Sequence, residues 1–579
     1  MQEIRLWCEG GGGEASVSAE GGARRAEIDG ACLAAVGRVL FDGRDALDPG
    51  VMGGVVSAFR QSPLQALSRL TGQYALVFAD PAHRLAVAAV DRLGTWPLFV
   101  RETGDGGLQA ASALRRLAGE EPRLDPQQIF NYLYFHVLPA PGCAAAGCSR
   151  LLPGEALVRH GVRQQRITHW KPSFRAERGL DRRAAATELR AAFHEGVERA
   201  VQGREVGAFL SGGTDSSTVV GALAGISESA PVAFSIGFDA EGYDERDYAR
   251  LAARHFGARH HEYVVTPADV AEVVPRIAAA YEQPFGNASV VPTYFCARLA
   301  RDAGVATLLG GDGGDELFGG NTRYAKQWLF SLYEGVPAPL RRALIEPLAQ
   351  RGWLPRKLTS YVEQARVPLP DRMESYNLLR RLGFGAVLDP AVLDAVDVDE
   401  PLRLIRAAYG EADAGHRVDR MLARDLRFTL ADDDLIKVRG GCALAGVEVE
   451  FPLLDEAVVD LSLRLPPEWK VQRTRLRPFF KAALADFLPA EVITKSKHGF
   501  GLPFGVWLVT EPCLRELAGD SLQSLKARKI VRAEFIDELQ SGRLAEHPAY
   551  YGTMVWILMM LEQWYQAREE RPALENVLP

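Results

Sequence analysis

The stretch LSGGTDSST, Leu210 to Thr218, follows the apolar run EVGAFL and precedes a helix-forming run. Glycine lets the backbone approach an anion closely. A helix start offers unpaired N–H groups and the positive end of its dipole to phosphate. Ser211, Ser216 and Ser217 add hydroxyl donors around Gly212 and Gly213. Asp215 brings a carboxylate into a phosphate site, which is sensible chemistry if it holds Mg²⁺. No GKS or GKT ends the loop, so it is not the Walker pattern. The bland alternative is a Gly/Ser turn joining strand to helix, and the full string in its strand–loop–helix setting argues against it.

A second glycine-rich stretch, LLGGDGGDELFGG from Leu308 to Gly320, also follows an apolar run. Alone it would read as a solvated turn, and its acids do not have the spacing of a calcium-binding EF-hand loop. Placed after a later strand of the same sheet, it puts Asp312 and Asp315 at the carboxyl edge, near the first loop.

The elements that must position these loops differ along the chain. From about 28 to 110 there are short β-rich pieces, AAVGRVLFDG, QYALVFADPAHR, LAVAAVDRLGTWPLFV and LQAASAL, punctuated by turn residues. That pattern predicts an antiparallel sheet, with the intervening DPGVMGGVVSAFRQSPLQALSRL helical. After the amphipathic run RGLDRRAAATELRAAFHEGVERAVQG, strands and helices alternate through EVGAFL, VAFSIGF, HEYVV and ATLLGG. Such alternation predicts a parallel sheet wrapped by helices. From roughly 330 onward most segments read as helical. Two domains are expected, 1–175 and 180–579, giving an α+β unit followed by an α/β unit with a helical C-terminal extension.

The 579 residues are 47% hydrophobic and 24% charged, with a net charge of −7 and no basic stripe, which argues against a nucleic-acid partner. The seven dispersed cysteines form no CxxC pair, as expected of reduced thiols in a cytoplasmic protein. No signal-peptide pattern opens the chain, and no apolar run is long enough to span a membrane. The apolar stretch YYGTMVWILMMLEQWYQA reads as a core helix or as a contact surface, which leaves a homodimer open.

LSGGTDSS, VAFSIGFD, EQPFGNASVVPT, LLGGDGGDELFGG, DDDLIKV, GVEVEFPLLD and LPAEVITKSKHGF occur in the order found in asparagine synthetases. The chain resembles that family over nearly its whole length, together with its β-lactam synthetase and lasso-peptide cyclase relatives. LTGQYALVFAD, DRLGTWPLFV, ASAL and LLPGEALV resemble the family's glutaminase domain. The resemblance implies an Ntn-hydrolase-like (class II glutamine amidotransferase-like) first domain and a PP-loop ATP-pyrophosphatase second domain. Leu210, Ile236, Gly310 and Gly311 would then frame adenine and ribose, and Asp215 and Asp315 would hold Mg²⁺ between the phosphates of ATP. Asp312 stands where a residue aiding amine attack is found, and Lys497 would neutralise the departing pyrophosphate.

The chain also departs from that family. Gln2 stands where the glutaminase nucleophile, an N-terminal cysteine, is expected, and Cys8 is the only nearby thiol. GRVL and Ala113 replace residues of the glutamine-holding segment. Gly310 replaces a common serine, and Arg439-Gly440-Gly441-Cys442 replaces DRMS. Arg477 takes the place of a lysine that serves the adenylate, with Lys481 on the same helix face as a substitute. Arginine holds phosphate bidentately but is a poor proton donor. The expectation is an amide ligase forming AMP and pyrophosphate without its own glutaminase. It would act on a small-molecule, peptide or glycan carboxylate and on ammonia or an amine. A nucleotide-binding pseudoenzyme is the first alternative and a tRNA-modifying ATP-pyrophosphatase the second.

Overall fold

The computed structural model describes residues 2–9, 15–104, 106–118, 124–351, 353–495 and 501–569. Two antiparallel sheets build the N-terminal part. The first contains, in spatial order, Cys148–Arg150, Phe99–Glu102, Leu108–Ala111, Glu3–Cys8 and Ala15–Glu20. The second runs Arg163–Thr168, Glu155–His160, Leu85–Val90, Leu70–Asp80, Ala31–Phe41 and Arg24–Ile28, with the short Arg44–Asp45 on its edge.

Side chains alternate across a strand, and here the alternation feeds two different cores. Ala34, Val36, Ala75, Val77, Ala86 and Ala88 face the first sheet and pack on Ile4, Leu6 and Val100. Their neighbours Leu33, Ala35, Leu76, Phe78 and Val87 face the helix Pro49–Gln61 through Val51, Val55 and Phe59. The central strands are therefore apolar at nearly every position because both faces are covered. Asp48 caps that helix by accepting from the Gly50 N–H at 2.7 Å, and Ser62 ends it and caps the following Pro63–Ser68.

After the helix Arg182–Val201, capped by Asp181, five parallel strands form the second sheet system. Their order is Arg259–Val265, Val232–Phe238, Gly207–Phe209, Thr307–Leu309 and Glu448–Glu450. Numbered along the chain this is 3-2-1-4-5. The order reverses between Gly207–Phe209 and Thr307–Leu309, and a crevice opens beyond the carboxyl ends of strands at such a switch point. Both glycine-rich loops leave the sheet there.

The antiparallel and parallel systems stand where the sequence predicts them, with three differences. Strands begin at Glu3, well before residue 28. The helix expected after HEYVV is two helices, Pro267–Ala280 and Val290–Asp302. The edge strand Glu448–Glu450 joins the parallel sheet although it is only three residues long. Of the two readings of the apolar C-terminal stretch, the core helix holds: Pro548–Glu569 buries Met554 through Leu561 and Trp564 in the main core. Among the described residues no helix is long and apolar enough to cross a membrane.

Candidate active site

The first loop is rigid before any ligand arrives. Leu210 is buried and tied to the neighbouring strand: its N–H donates to the Phe234 carbonyl at 2.8 Å and its own carbonyl accepts from Ser235 Oγ. Ser216 Oγ accepts from the Ser211 N–H at 3.1 Å and lies 3.0 Å from Ser211 Oγ. Gly213 is the N-cap of the helix Thr214–Ile226 and no side chain caps it, so the first N–H groups of that helix face the crevice. Ser217 is wholly buried, and Ile236 lies on the adjacent strand, also buried.

The second loop leans on the first. A Cβ at Gly311 would come within 2.8 Å of the Ser216 nitrogen, and one at Gly314 would strike the Asp215 carboxylate. These two glycines are the condition for the loops to touch. Gly311→Ala is expected to push the loops apart and weaken ATP binding by roughly tenfold, on the order of 1–2 kcal/mol for an overpacked close contact. Calorimetric titration with ATP checks it, and unchanged affinity would disprove the close approach.

Asp215 and Asp315 meet at Arg477. Its Nη1 lies 2.6 Å from Asp215 Oδ2, 2.8 Å from Asp215 Oδ1 and 3.1 Å from Asp315 Oδ1. Burial opposes the arginine's charge, but the two aspartates outweigh it and hold the guanidinium firmly protonated. Arg477 adopts φ 53°, a left-handed conformation, and its N–H donates to the Lys470 carbonyl at 2.8 Å. A non-glycine residue there is strained and persists only where the surroundings over-determine it. Lys481, one turn on, is half-exposed, and both burial and Arg477 lower its pKa.

Asp312 forms a second polar group with two residues that sequence reasoning did not single out. Burial raises its pKa to about 6, Lys437 opposing and Asp434 adding to the rise. Lys437 Nζ lies 2.5 Å from Asp434 Oδ1. Burial disfavours its charge, but Asp434, Asp312 and Asp433 together raise its pKa. The signal for this cluster was available in DDDLIK, where acid and lysine stand at i and i+3 on one helix face.

Lys497 lies outside the described residues. The segment leading to it is anchored close to the first loop. Lys495 pairs with Glu245 at 3.0 Å and lies over the Tyr248 ring at 4.5 Å, and a Cβ at Gly212 would meet Tyr248.

The departures near the N-terminus have structural consequences. Gln2 bridges the two halves, its Nε2 donating to Glu448 at 2.8 Å and its Oε1 accepting weakly from Gly37 N–H at 3.5 Å. Cys8 is buried in a strand paired on both sides, and burial raises its thiol pKa. Arg439 donates to the carbonyls of Thr95 (2.5 Å) and Val449 (3.2 Å) and lies 4.1 Å from the centre of the Trp96 ring. Gly440 leaves the space that the Tyr281 ring occupies.

A glycine-lined crevice at the switch point of a parallel sheet, carrying paired acids and cations, behind an antiparallel two-sheet domain, defines the class. Residues 188–566 match the sequence profile described as Asparagine synthase, and 53–170 match that of a Glutamine amidotransferase domain. The chain belongs to the asparagine synthase family and is a ligase that forms C–N bonds. It is 29% identical over 558 residues to the Mycobacterium tuberculosis protein named "Putative asparagine synthetase (glutamine-hydrolyzing)", covering 90% of this chain and 80% of that one. It is 24% identical over 531 residues to Asparagine synthetase (glutamine-hydrolyzing) 1 of Bacillus subtilis, covering 89% and 81%. Amidase chyE of Penicillium rubens is 24% identical over 299 residues, covering 46% and 42%.

Proposed function

We propose that the chain activates a substrate carboxylate with ATP and transfers the acyl group to ammonia or a substrate amine, without a glutaminase of its own. The observation that carries this reading is the convergence of Asp215, Asp315 and Arg477 beside the touching backbones of Gly311 and Ser216. The boundaries that suit it are 1–175 for an Ntn-hydrolase-like unit and 180–579 for a PP-loop synthetase unit.

In the first step a carboxylate oxygen attacks the α-phosphorus of ATP and the bond to the β-phosphate oxygen breaks, giving an acyl-adenylate and pyrophosphate. Backbone N–H groups at Gly212, Gly213 and the helix start hold the leaving phosphates, with the hydroxyls of Ser211 and Ser216 beside them. Leu210, Ile236, Gly310 and Gly311 frame the nucleoside. The donor set at Asp215 and Asp315 suits Mg²⁺: two carboxylates that already enclose one positive charge offer the hard oxygen ligands this ion takes. When bound, Mg²⁺ would neutralise the phosphate charge that grows as the bond breaks. Arg477 adds a fixed positive charge at the same point, and Lys497 a further one as pyrophosphate leaves.

In the second step the amine attacks the acyl carbon, loses a proton and expels AMP. Asp312, raised towards neutrality, is suited to take that proton, and Lys437 beside it holds a compensating charge. Arg477 cannot donate a proton, so it serves by charge alone, and Lys481 is the nearby group able to exchange one. Gln2 is tied to Glu448 across the seam, and Cys8 is buried in a strand paired on both sides, which supports a reading in which neither serves glutamine hydrolysis. In this reading the nitrogen source is free ammonia or an amine of the substrate.

The test is pyrophosphate release from ATP and Mg²⁺ with candidate carboxylates and amines. Release that needs a carboxylate, and that glutamine does not stimulate beyond what ammonium does, is expected. Stimulation by glutamine alone would restore the glutaminase, and no release together with no ATP binding would favour a pseudoenzyme.

A further inference from the structure

Beyond the nucleotide loops lies a cavity of about 530 Å³ that the roles above leave unused. Both halves of the chain build it. Tyr134 to Val137, at the end of the helix Pro126–Phe135, form one wall; Asn321, Lys326, Phe428 and Asp433 contribute to the other. Two of its edges adjoin the site already described. Asn321 follows Gly320, where a Cβ would meet the Asp315 carboxylate and lie 3.0 Å from Arg477 Nε. Asp433 precedes Asp434, the partner of Lys437.

Its size is that of pockets enclosing ligands well beyond a single small amino acid, which run to roughly 300–1,000 Å³. The lining is aromatic: the rings of Phe135 and Phe428 stack with centroids 5.4 Å apart, and Tyr134, Phe330 and Tyr376 complete the apolar surface. The wall arginines are engaged. Arg372 pairs with Glu334 at 2.5 Å, Arg424 with Glu374 at 2.6 Å and Arg323 with Asp425 at 3.1 Å.

Tyr134 Oη and His136 Nε2, both from this wall, are buried without a hydrogen-bond partner among the described residues. The His136 backbone is held in the left-handed region at φ 67° by two hydrogen bonds. The His136 N–H donates to the Tyr132 carbonyl at 2.6 Å, and the His136 carbonyl accepts from Gly286 N–H at 2.7 Å. Burial lowers the imidazole pKa to about 4, so the ring is neutral at pH 7. The ring nitrogen is shut off from the cavity as well as from any partner, so His136 shapes this wall by its backbone and ring body and not by reaching a ligand.

We propose that this cavity is the acyl-substrate pocket of the ligase and that it takes a carboxylate bearing a flat aromatic group, held against the Phe135, Phe428 and Tyr376 rings, in place of aspartate. The proposal rests on the ligase reading above. It gives the N-terminal half a use that does not depend on glutamine: it supplies one wall of the substrate site.

The experiment is carboxylate-dependent exchange of radiolabelled pyrophosphate into ATP by the full-length protein. L-aspartate, N-acetyl-L-phenylalanine and the dipeptides Phe-Asp and Asp-Phe serve as probes, with wild type and Tyr376→Leu compared. Tyr376 is more than half exposed, so its ring is not part of the core, and a thermal melt checks the variant's fold. The wild type is expected to use an aromatic probe with a KM at least tenfold below that for aspartate, the discrimination of roughly one buried ring face. Tyr376→Leu should raise that KM roughly fivefold, the loss of one aromatic contact, with the KM for ATP nearly unchanged. Exchange with aspartate as good as with any aromatic probe, or a KM indifferent to the substitution, overturns the pocket assignment and leaves the ligase standing. No exchange with any carboxylate overturns both. The wild-type comparison needs no variant, so a Tyr376→Leu protein that fails to fold does not shelter the proposal.

Discussion

Asp215→Ala is expected to lower carboxylate-dependent pyrophosphate release by about 10³-fold or more, the several kcal/mol that a charge-neutralising metal ligand contributes to a phosphoryl transition state. The reason is local. Asp215 opens the helix Thr214–Ile226, its carboxylate faces Arg477, and Gly314 exists as glycine to let that carboxylate fit. Removing it takes away half of the oxygen donor set proposed for Mg²⁺ and one of the two aspartates that pair with Arg477. ATP affinity should fall much less, because the backbone donors proposed at Gly212 and Gly213 and the nucleoside frame proposed at Leu210 and Gly310 are untouched. Asp215→Asn separates charge from shape: it preserves volume and should lose nearly as much rate as alanine. A loss under tenfold in either variant, measured by pyrophosphate release at saturating Mg²⁺, would rule out a metal-holding role.

Lys470→Met is expected to give the largest loss of stability, about 3–5 kcal/mol, as for any buried pair broken from one side. Lys470 Nζ lies 3.0 Å from Asp419, both side chains are buried, and the ammonium sits 4.6 Å from the centre of the Phe174 ring. Methionine fills the space but strands the Asp419 charge. Burial lowers the lysine's pKa and Asp419 opposes that fall, so the pair survives because each partner has the other. The midpoint of the main thermal transition should fall by several degrees, and Asp419→Leu in the same chain should recover more than half of the loss. The damage should also reach catalysis, since the Lys470 carbonyl holds the backbone of Arg477. A single variant as stable as wild type would mean that the pair is spare.

Much of this was legible in the sequence because it is short-range. LSGGTDSST and LLGGDGGDELFGG each carry their chemistry within a dozen residues, and the strand–helix alternation around them fixes which edge of the sheet they occupy. What was not legible spans distance. Arg477 pairs with Asp215 across 262 residues, and nothing in RLRPFFK announces that its guanidinium lies between the two acids proposed as metal ligands. The strands Ala15–Glu20 and Arg24–Ile28 were missed because ASVSAE and RRAEI are mostly polar pieces at sheet edges, with little burial to impose a pattern. Glu448–Glu450 is too short to show a period and is a strand only because Thr307–Leu309 offers it a partner. The substitution at Arg439 makes sense only once Trp96 and Thr95 lie against it, from a part of the sequence more than 300 residues away.

The cavity with one wall from each half of the chain couples two equilibria. A molecule that touches both walls binds the docked arrangement and not a sprung one, so its binding free energy is added to the cohesion of the seam. The converse follows by reciprocity: whatever tightens the seam, the Arg439 contacts with Thr95 and Trp96 or the buried pair of Arg150 with Asp432, improves the affinity of that molecule without touching it.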